Sequence, residues 1–150
     1  QKRYRHHVGP FGQSVLVTVE VSRGSFVKRG VKGEIEFVSP LPCPFNYGSV
    51  MGSLADDGDP QDALVLGARR ARKSQIETQV WAVVRFMDDG LVDDKWICGV
   101  AQPTGVELAV VRCFFRTYAW SKWLMSRLQG RLGRTCFLGV VLAPTDGQVG

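Results

Sequence analysis

A single segment of this chain carries apolar residues at helical spacing over a length worth a helix. It is GVELAVVRCFFRTYAWSKWLMSRLQG, residues 105–130. Leu108, Val111, Phe115, Trp120, Trp123 and Leu124 keep an approximate three-to-four rhythm, and Gly130 offers a stop. The other apolar runs are short. SVLVTVEV (14–21) and KGEIEFV (32–38) alternate, as strands with one buried face must. DALVLGA (62–68), QVWAVVRFMD (79–88), DDKWICGVA (93–101) and TCFLGVVLA (135–143) read as further strands, with DDGLV as a turn between two of them. PLPCPFNYG (40–48) is studded with proline and reads as a loop. Five or more strands with one helix predict a mainly β (α+β) fold, a small barrel or sandwich with the helix on its side.

The 150 residues suit one domain. Its expected bounds are 15–143, between a basic leader (1–14, opening QKRYRHH) and a short tail (144–150). No apolar h-region follows the leader, which argues against a secretion signal. The longest apolar run, CFLGVVLAP, is far short of a membrane span. A net charge of +5 suits an anionic partner, either nucleic acid or a phosphorylated small molecule. Cys43, Cys98, Cys113 and Cys136 form no C-x-x-C pair and sit among apolar neighbours, so they read as free, buried thiols in a reducing compartment. The expected location is therefore cytoplasmic.

The stretch LADDGDPQDALVL (54–66) gathers four aspartates in seven positions at the edge of a strand. Gly58 and Pro60 favour a turn that brings alternate carboxylates, Asp57, Asp59 and Asp62, to one side. Hard divalent cations take such oxygens, magnesium commonly with a few carboxylates plus water and phosphate. A solvated acidic turn is the plainer alternative. A second acidic group, Asp88, Asp89, Asp93 and Asp94, lies at the next hairpin, and neighbouring strand ends place both groups around one cavity. Lys28, Arg29, Lys95, Tyr47 and Tyr118 are donors suited to phosphate oxygens, or else surface residues.

Together these motifs resemble the family I soluble inorganic pyrophosphatases over roughly residues 15 to 118. DGDPQDALVL is similar to the family's Asp-x-Asp-Pro-x-Asp run before an apolar strand. VTVEV matches the strand ending in a site glutamate, Glu20, and FVK matches the substrate lysine, Lys28. PFNYG is close to the Pro-x-Asn-Tyr-Gly loop and places Tyr47. MDDGLVDDK matches the second acidic hairpin with Asp88, Asp93 and Lys95, and FFRTY places Tyr118.

The resemblance implies a five-stranded OB-like closed barrel with a flanking helix, assembled as a homo-oligomer, a hexamer or smaller. It also implies hydrolysis of pyrophosphate to two phosphates with Mg2+. Asp57, Asp62 and Asp93 would then hold the metals that activate water, and Asp88 with Asp93 a metal on the substrate. Asp59, assisted by Tyr47, would take the water's proton, with Glu20 in support. Lys28, Lys95 and Tyr118 would hold phosphate.

Three departures accompany the matches. The family's hairpin arginine falls on Ile35 and the glutamate two after Lys28 on Gly30, with Arg29 or Lys32 as candidate substitutes. The lysine that follows the substrate tyrosine is Ala119. The segment from Lys95 to Tyr118 is short, and WSKWLMSRLQGRLGR plus a strand replaces the family's C-terminal helix. These leave open a relative of low activity or one with another phosphoanhydride substrate. A nucleic-acid-binding module is the rival class. GARRARKSQ (67–75) is basic and RTYAWSKWLMSR interleaves aromatics with cations, but exposed aspartates would repel a phosphodiester backbone.

Overall fold

The computed structural model describes residues 10–29, 32–38, 42–53 and 59–143. In chain order the elements are β1 (Ser14–Val21), β2 (Val27–Arg29), β3 (Ile35–Val38), β4 (Asn46–Val50), β5 (Asp62–Val65), β6 (Gln75–Asp88), β7 (Leu91–Val92), β8 (Lys95–Gly99), α1 (Gly105–Leu128) and β9 (Cys136–Leu142). The leader through residue 9 and the tail from 144 lie outside the described residues.

Five strands close on themselves in the order β1-β4-β5-β8-β6, because β6 also pairs with β1. Strand β6 makes this possible by its length of 14 residues. Its first part pairs with β1, its middle with β8 and its last part with β9. The ring is antiparallel apart from β5–β8. Gly12 and Gln13 already exchange backbone hydrogen bonds with Val80, so the chain joins the sheet just before β1. Strands β2 and β3 form a separate ribbon.

Strand alternation sorts the core into two clusters. Val15, Val17, Val19, Val50, Ala63, Val65, Ile76, Val80 and Cys98 come from all five ring strands. The opposite face of the same strands (Leu64, Ile97, Val84, Phe86) packs with Phe45 against Leu108, Val111, Phe115 and Ala119 of α1. The helix starts on a capping box. The Thr104 side chain accepts from the Glu107 N–H, and Glu107 accepts from the Thr104 N–H at 3.0 Å.

Three expectations need correction. PFNYG is not wholly loop, because the prolines end at Pro44 and β4 then pairs with both β1 and β5. The helical rhythm holds at Leu108, Val111 and Phe115 but continues through Ala119, which leaves Trp120, Trp123 and Leu124 exposed. Cys43 and Cys98 are buried free thiols, whereas Cys113 is exposed and Cys136 half-buried.

The two buried thiols have a consequence for pH. Burial pushes Cys43 up to about 11, against a smaller lowering by a backbone hydrogen bond at Phe45, and burial pushes Cys98 up to about 12. The folded state therefore keeps two protons that the unfolded chain loses near its ordinary thiol pKa. The stability they contribute is intact below about pH 8.5 and is lost as pH rises toward the folded values. Urea unfolding in reducing buffer should show stability falling by roughly 2 kcal/mol per pH unit between pH 9.5 and 10.5. The Cys43→Ala/Cys98→Ala variant should show a shallower fall. A pH-independent stability from 8.5 to 10.5 would contradict this account.

Candidate active site

Antiparallel pairing brings the start of β4 beside the end of β1. The starts of β5 and β8 lie side by side, and β6 ends over them. In the antiparallel β4–β5 pair Tyr47 stands opposite Leu64, two residues from Asp62, so Tyr47, Asp62 and Lys95 meet on the helix-covered face. Lys95 shares its face with Ile97, Asp62 shares its face with Leu64, and Tyr47 packs against the cluster under α1.

Lys95 is the centre of the arrangement. It is 2% exposed, and its ammonium donates to Asp62 Oδ2 at 2.9 Å and to Asp93 Oδ2 at 2.7 Å. The two acidic groups, 31 positions apart in sequence, thus meet on one cation. Their mutual repulsion is offset there. Burial alone would lower the Lys95 pKa, but Asp62 and Asp93 more than reverse that and raise it. The ammonium also lies over the rings of Tyr47 (5.8 Å to the centroid) and Phe86 (5.9 Å).

Tyr47 links this centre to a further cation. Lys28 Nζ stands over its ring at 5.9 Å. Burial first, then Asp62, push the Tyr47 hydroxyl well above the ordinary phenol range, so at neutral pH it donates and does not act as a base. Tyr118, on α1, packs 5.7 Å from the Phe86 ring. Asp88 is held by Lys122 at 2.9 Å and by the Thr135 hydroxyl at 3.4 Å. A cavity of about 470 Å³ opens between Lys28, Asp88, Tyr118, Lys122, Gln129 and Arg131.

Local irregularity positions two of these groups. The β1–β4 register skips at Glu20, leaving it as the extra residue of a bulge, and its carboxylate accepts from the Ser49 hydroxyl. Asp89 and Gly90 both have positive φ (50° and 80°), as a two-residue hairpin requires, and they set Asp88 opposite Leu91.

The other expected residues fall as follows. Asp57 lies outside the described residues. Asp59 is described and exposed at the entry to β5. Asp94 leaves the group and accepts from the Phe86 N–H while facing Arg85. Arg29 pairs with Ile35 across the β2–β3 ribbon, and Ile35 is 58% exposed. Ala119 is buried against the core, so that position offers the cleft nothing. Among the described residues no three acidic, cysteine or histidine side chains gather into one metal-binding group. The basic loop after β5 lies at the far end of that strand from Asp62, its backbone tied to the Asn46 side chain through Arg70 and Ala68. No helix among the described residues is long and apolar enough to cross a membrane.

Sequence reasoning missed Lys122. Its signal was available, since it lies four positions after Tyr118, one helical turn along the same face.

A closed ring of OB-like topology, one long flanking helix and a lysine bridging remote carboxylates define the class of protein. The sequence model described as inorganic pyrophosphatase matches residues 17–120, and the chain belongs to that family. The inorganic pyrophosphatase of Corynebacterium efficiens is 33% identical over 98 residues, 60% of this chain and 62% of the relative. The soluble inorganic pyrophosphatase of Hordeum vulgare is 30% identical over 131 residues, 81% of this chain and 57% of the relative. The chain thus spans about three fifths or less of these relatives' length. The inorganic pyrophosphatase structure from Helicobacter pylori superposes with a TM-score of 0.69 at 24% identity, over 86% of this chain and 84% of that one. That from Coxiella burnetii gives 0.71 at 18%, over 89% and 88%. At these identities the superpositions show the fold.

Proposed function

We propose that this protein hydrolyses pyrophosphate to two phosphates with Mg2+. The observation that supports this most is the meeting of Asp62 and Asp93 on Lys95, beside Tyr47. Family membership points the same way.

The donor set suits a divalent cation. Asp62 and Asp93 bring hard carboxylate oxygens to one point from separate strand ends, and both are partly open to solvent (25% and 22%). Asp62 and Asp93, with Asp57 and Asp88, would hold the metal ions. When bound, magnesium neutralises phosphate charge and makes water more acidic. The protein's own groups do the rest. An ammonium has three N–H donors and Lys95 spends two on carboxylates, which leaves one for a phosphate oxygen. Lys28, Tyr118 and Arg29 add donors that hold the substrate, and the protonated Tyr47 orients the groups around Asp59. Asp59 accepts a proton from the water that attacks phosphorus, the bridging P–O bond breaks, and the second phosphate leaves. Glu20, steadied by Ser49, supports the water network. Phosphoryl transfer asks chiefly for such positioning and charge compensation, so no covalent nucleophile is needed.

The test is phosphate release from pyrophosphate with and without Mg2+. Release should depend on the metal, and Asp59→Asn should reduce kcat at least ~100-fold with little change in melting temperature, as removal of a general base does. Absence of release at every metal concentration would refute the reading.

In the same reading the exposed apolar residues of α1 and β9 (Trp120, Trp123, Leu138, Leu142) suit a contact with another copy of the chain, in a hexamer or smaller oligomer. The expected compartment is the cytoplasm.

A further inference from the structure

The cleft lacks a cation at 119, yet it has one nearby that no motif assigns. Lys122 lies one turn beyond Tyr118 on α1, its ammonium 5.5 Å from the centre of the Tyr118 ring and 2.9 Å from Asp88 Oδ2. Lys122 and Asp88 are both part-exposed (30% and 26%) and both line the 470 Å³ cavity that Lys28 and Tyr118 also face. Arg131 lines it too, so cations stand on more than one wall.

We propose that Lys122 is a phosphate-binding residue of this cleft, exchanging Asp88 for an anionic phosphate oxygen when substrate or product enters. The proposal rests on the phosphate-substrate reading above and names a residue which that reading does not supply. The Lys122–Asp88 pair stands on the wall of the cavity with 30% and 26% of its side chains exposed, so an entering anion can reach the ammonium. A phosphate oxygen offers the ammonium more charge than a carboxylate and a strong charge-assisted bond. Any cation on Asp88 also competes with Lys122 for that carboxylate, which favours the transfer. Position 119 cannot serve in this way, because its side chain faces the core between the sheet and α1. The i,i+4 step from Tyr118 keeps the ammonium and the tyrosine on one face, so both reach the same anion.

The test compares the full chain with Lys122→Gln and Lys122→Arg. Binding of inorganic phosphate is followed by titration calorimetry, with and without Mg2+, and KM and kcat are measured on pyrophosphate. Lys122→Gln should weaken phosphate binding and raise KM at least ~10-fold, with kcat changed less and melting temperature nearly unchanged. Lys122→Arg should recover most of the loss. A merely structural lysine would lower the melting temperature and leave phosphate affinity alone.

A second measurement needs no variant. In the unmodified protein, saturating phosphate should slow acylation of Lys122 at least ~5-fold, as read by mass spectrometry, while exposed Lys73 of the basic loop reacts as before. Unchanged phosphate affinity in a folded Lys122→Gln variant, or unprotected Lys122 in the unmodified protein, overturns the proposal. Protection without pyrophosphate hydrolysis would sink the proposed activity and leave Lys122 as an anion site. Hydrolysis without protection would do the reverse.

Discussion

Lys95→Met should lose roughly 3–5 kcal/mol of folding stability, the usual effect of removing one partner from a buried ion pair. The physical reason lies in the two carboxylates left behind. Asp62 and Asp93 both contact the Lys95 ammonium, which is 2% exposed. Without it, two negative charges face each other at the rim of an apolar cluster that includes Tyr47 and Phe86. For a domain whose total stability is of order 5–15 kcal/mol, such a loss moves the urea midpoint sharply. Adding Asp62→Asn and Asp93→Asn to Lys95→Met should restore much of the stability, because the triple variant buries no unpaired charge. The effects are therefore expected to be strongly non-additive. Hydrolysis should stay abolished in the triple variant, since both carboxylate charges and the ammonium are gone. A Lys95→Met protein within about 1 kcal/mol of the parent, below the range for a buried pair, would mean that the lysine is not the keystone of this edge.

The ring and the helix were legible because burial patterns them locally. SVLVTVEV alternates along its whole length and is β1 from Ser14 to Val21, and the helical segment expected over 105–130 runs from Gly105 to Leu128. Strand β4 was hidden by its neighbours. Three prolines crowd positions 40–44, and proline's reach stops there, so NYGSV pairs on both sides. β6 begins four residues before the expected Gln79 because QIET alternates too, with Ile76 and Thr78 buried. The outward turn of Trp120 and Trp123 follows from helical phase, since Leu108, Val111, Phe115 and Ala119 already fill the buried stripe. In the cleft, spacing identified carboxylates, lysines and tyrosines, but pairing is a matter of three dimensions. That Asp62 and Asp93 share Lys95, while Asp88 turns to Lys122 and Asp94 to the Phe86 N–H, depends on which strand ends are adjacent. No sequence period encodes that.

Gly48→Ala should be as damaging as any change outside the charged cluster, and its cause is backbone contact alone. A Cβ at position 48 would drive into the Thr18 carbonyl oxygen, and would stand 2.8 Å from the Thr18 carbonyl carbon and 3.1 Å from Val19 Cα. All three atoms belong to the β1 backbone, which cannot rotate aside as a side chain can. Gly48 pairs with Val19 immediately before the bulge at Glu20, so the close approach is part of the irregularity that aims that carboxylate. Making room requires β1 and β4 to separate, with loss of ladder hydrogen bonds in a ring that has no slack. The cost should lie at or above the top of the roughly 1–3 kcal/mol range for overpacking. Because Tyr47 is the preceding residue of β4, the same displacement should move its hydroxyl from Asp62 and lower kcat on pyrophosphate in whatever fraction remains folded. Gly52→Ala, at a turn with φ +72° and no atom within 4 Å of the added Cβ, is the matched control. It should cost only about 1 kcal/mol of backbone strain and leave activity intact. Equal urea midpoints for the two variants would show that β1 gives way more easily than its closed-ring pairing allows.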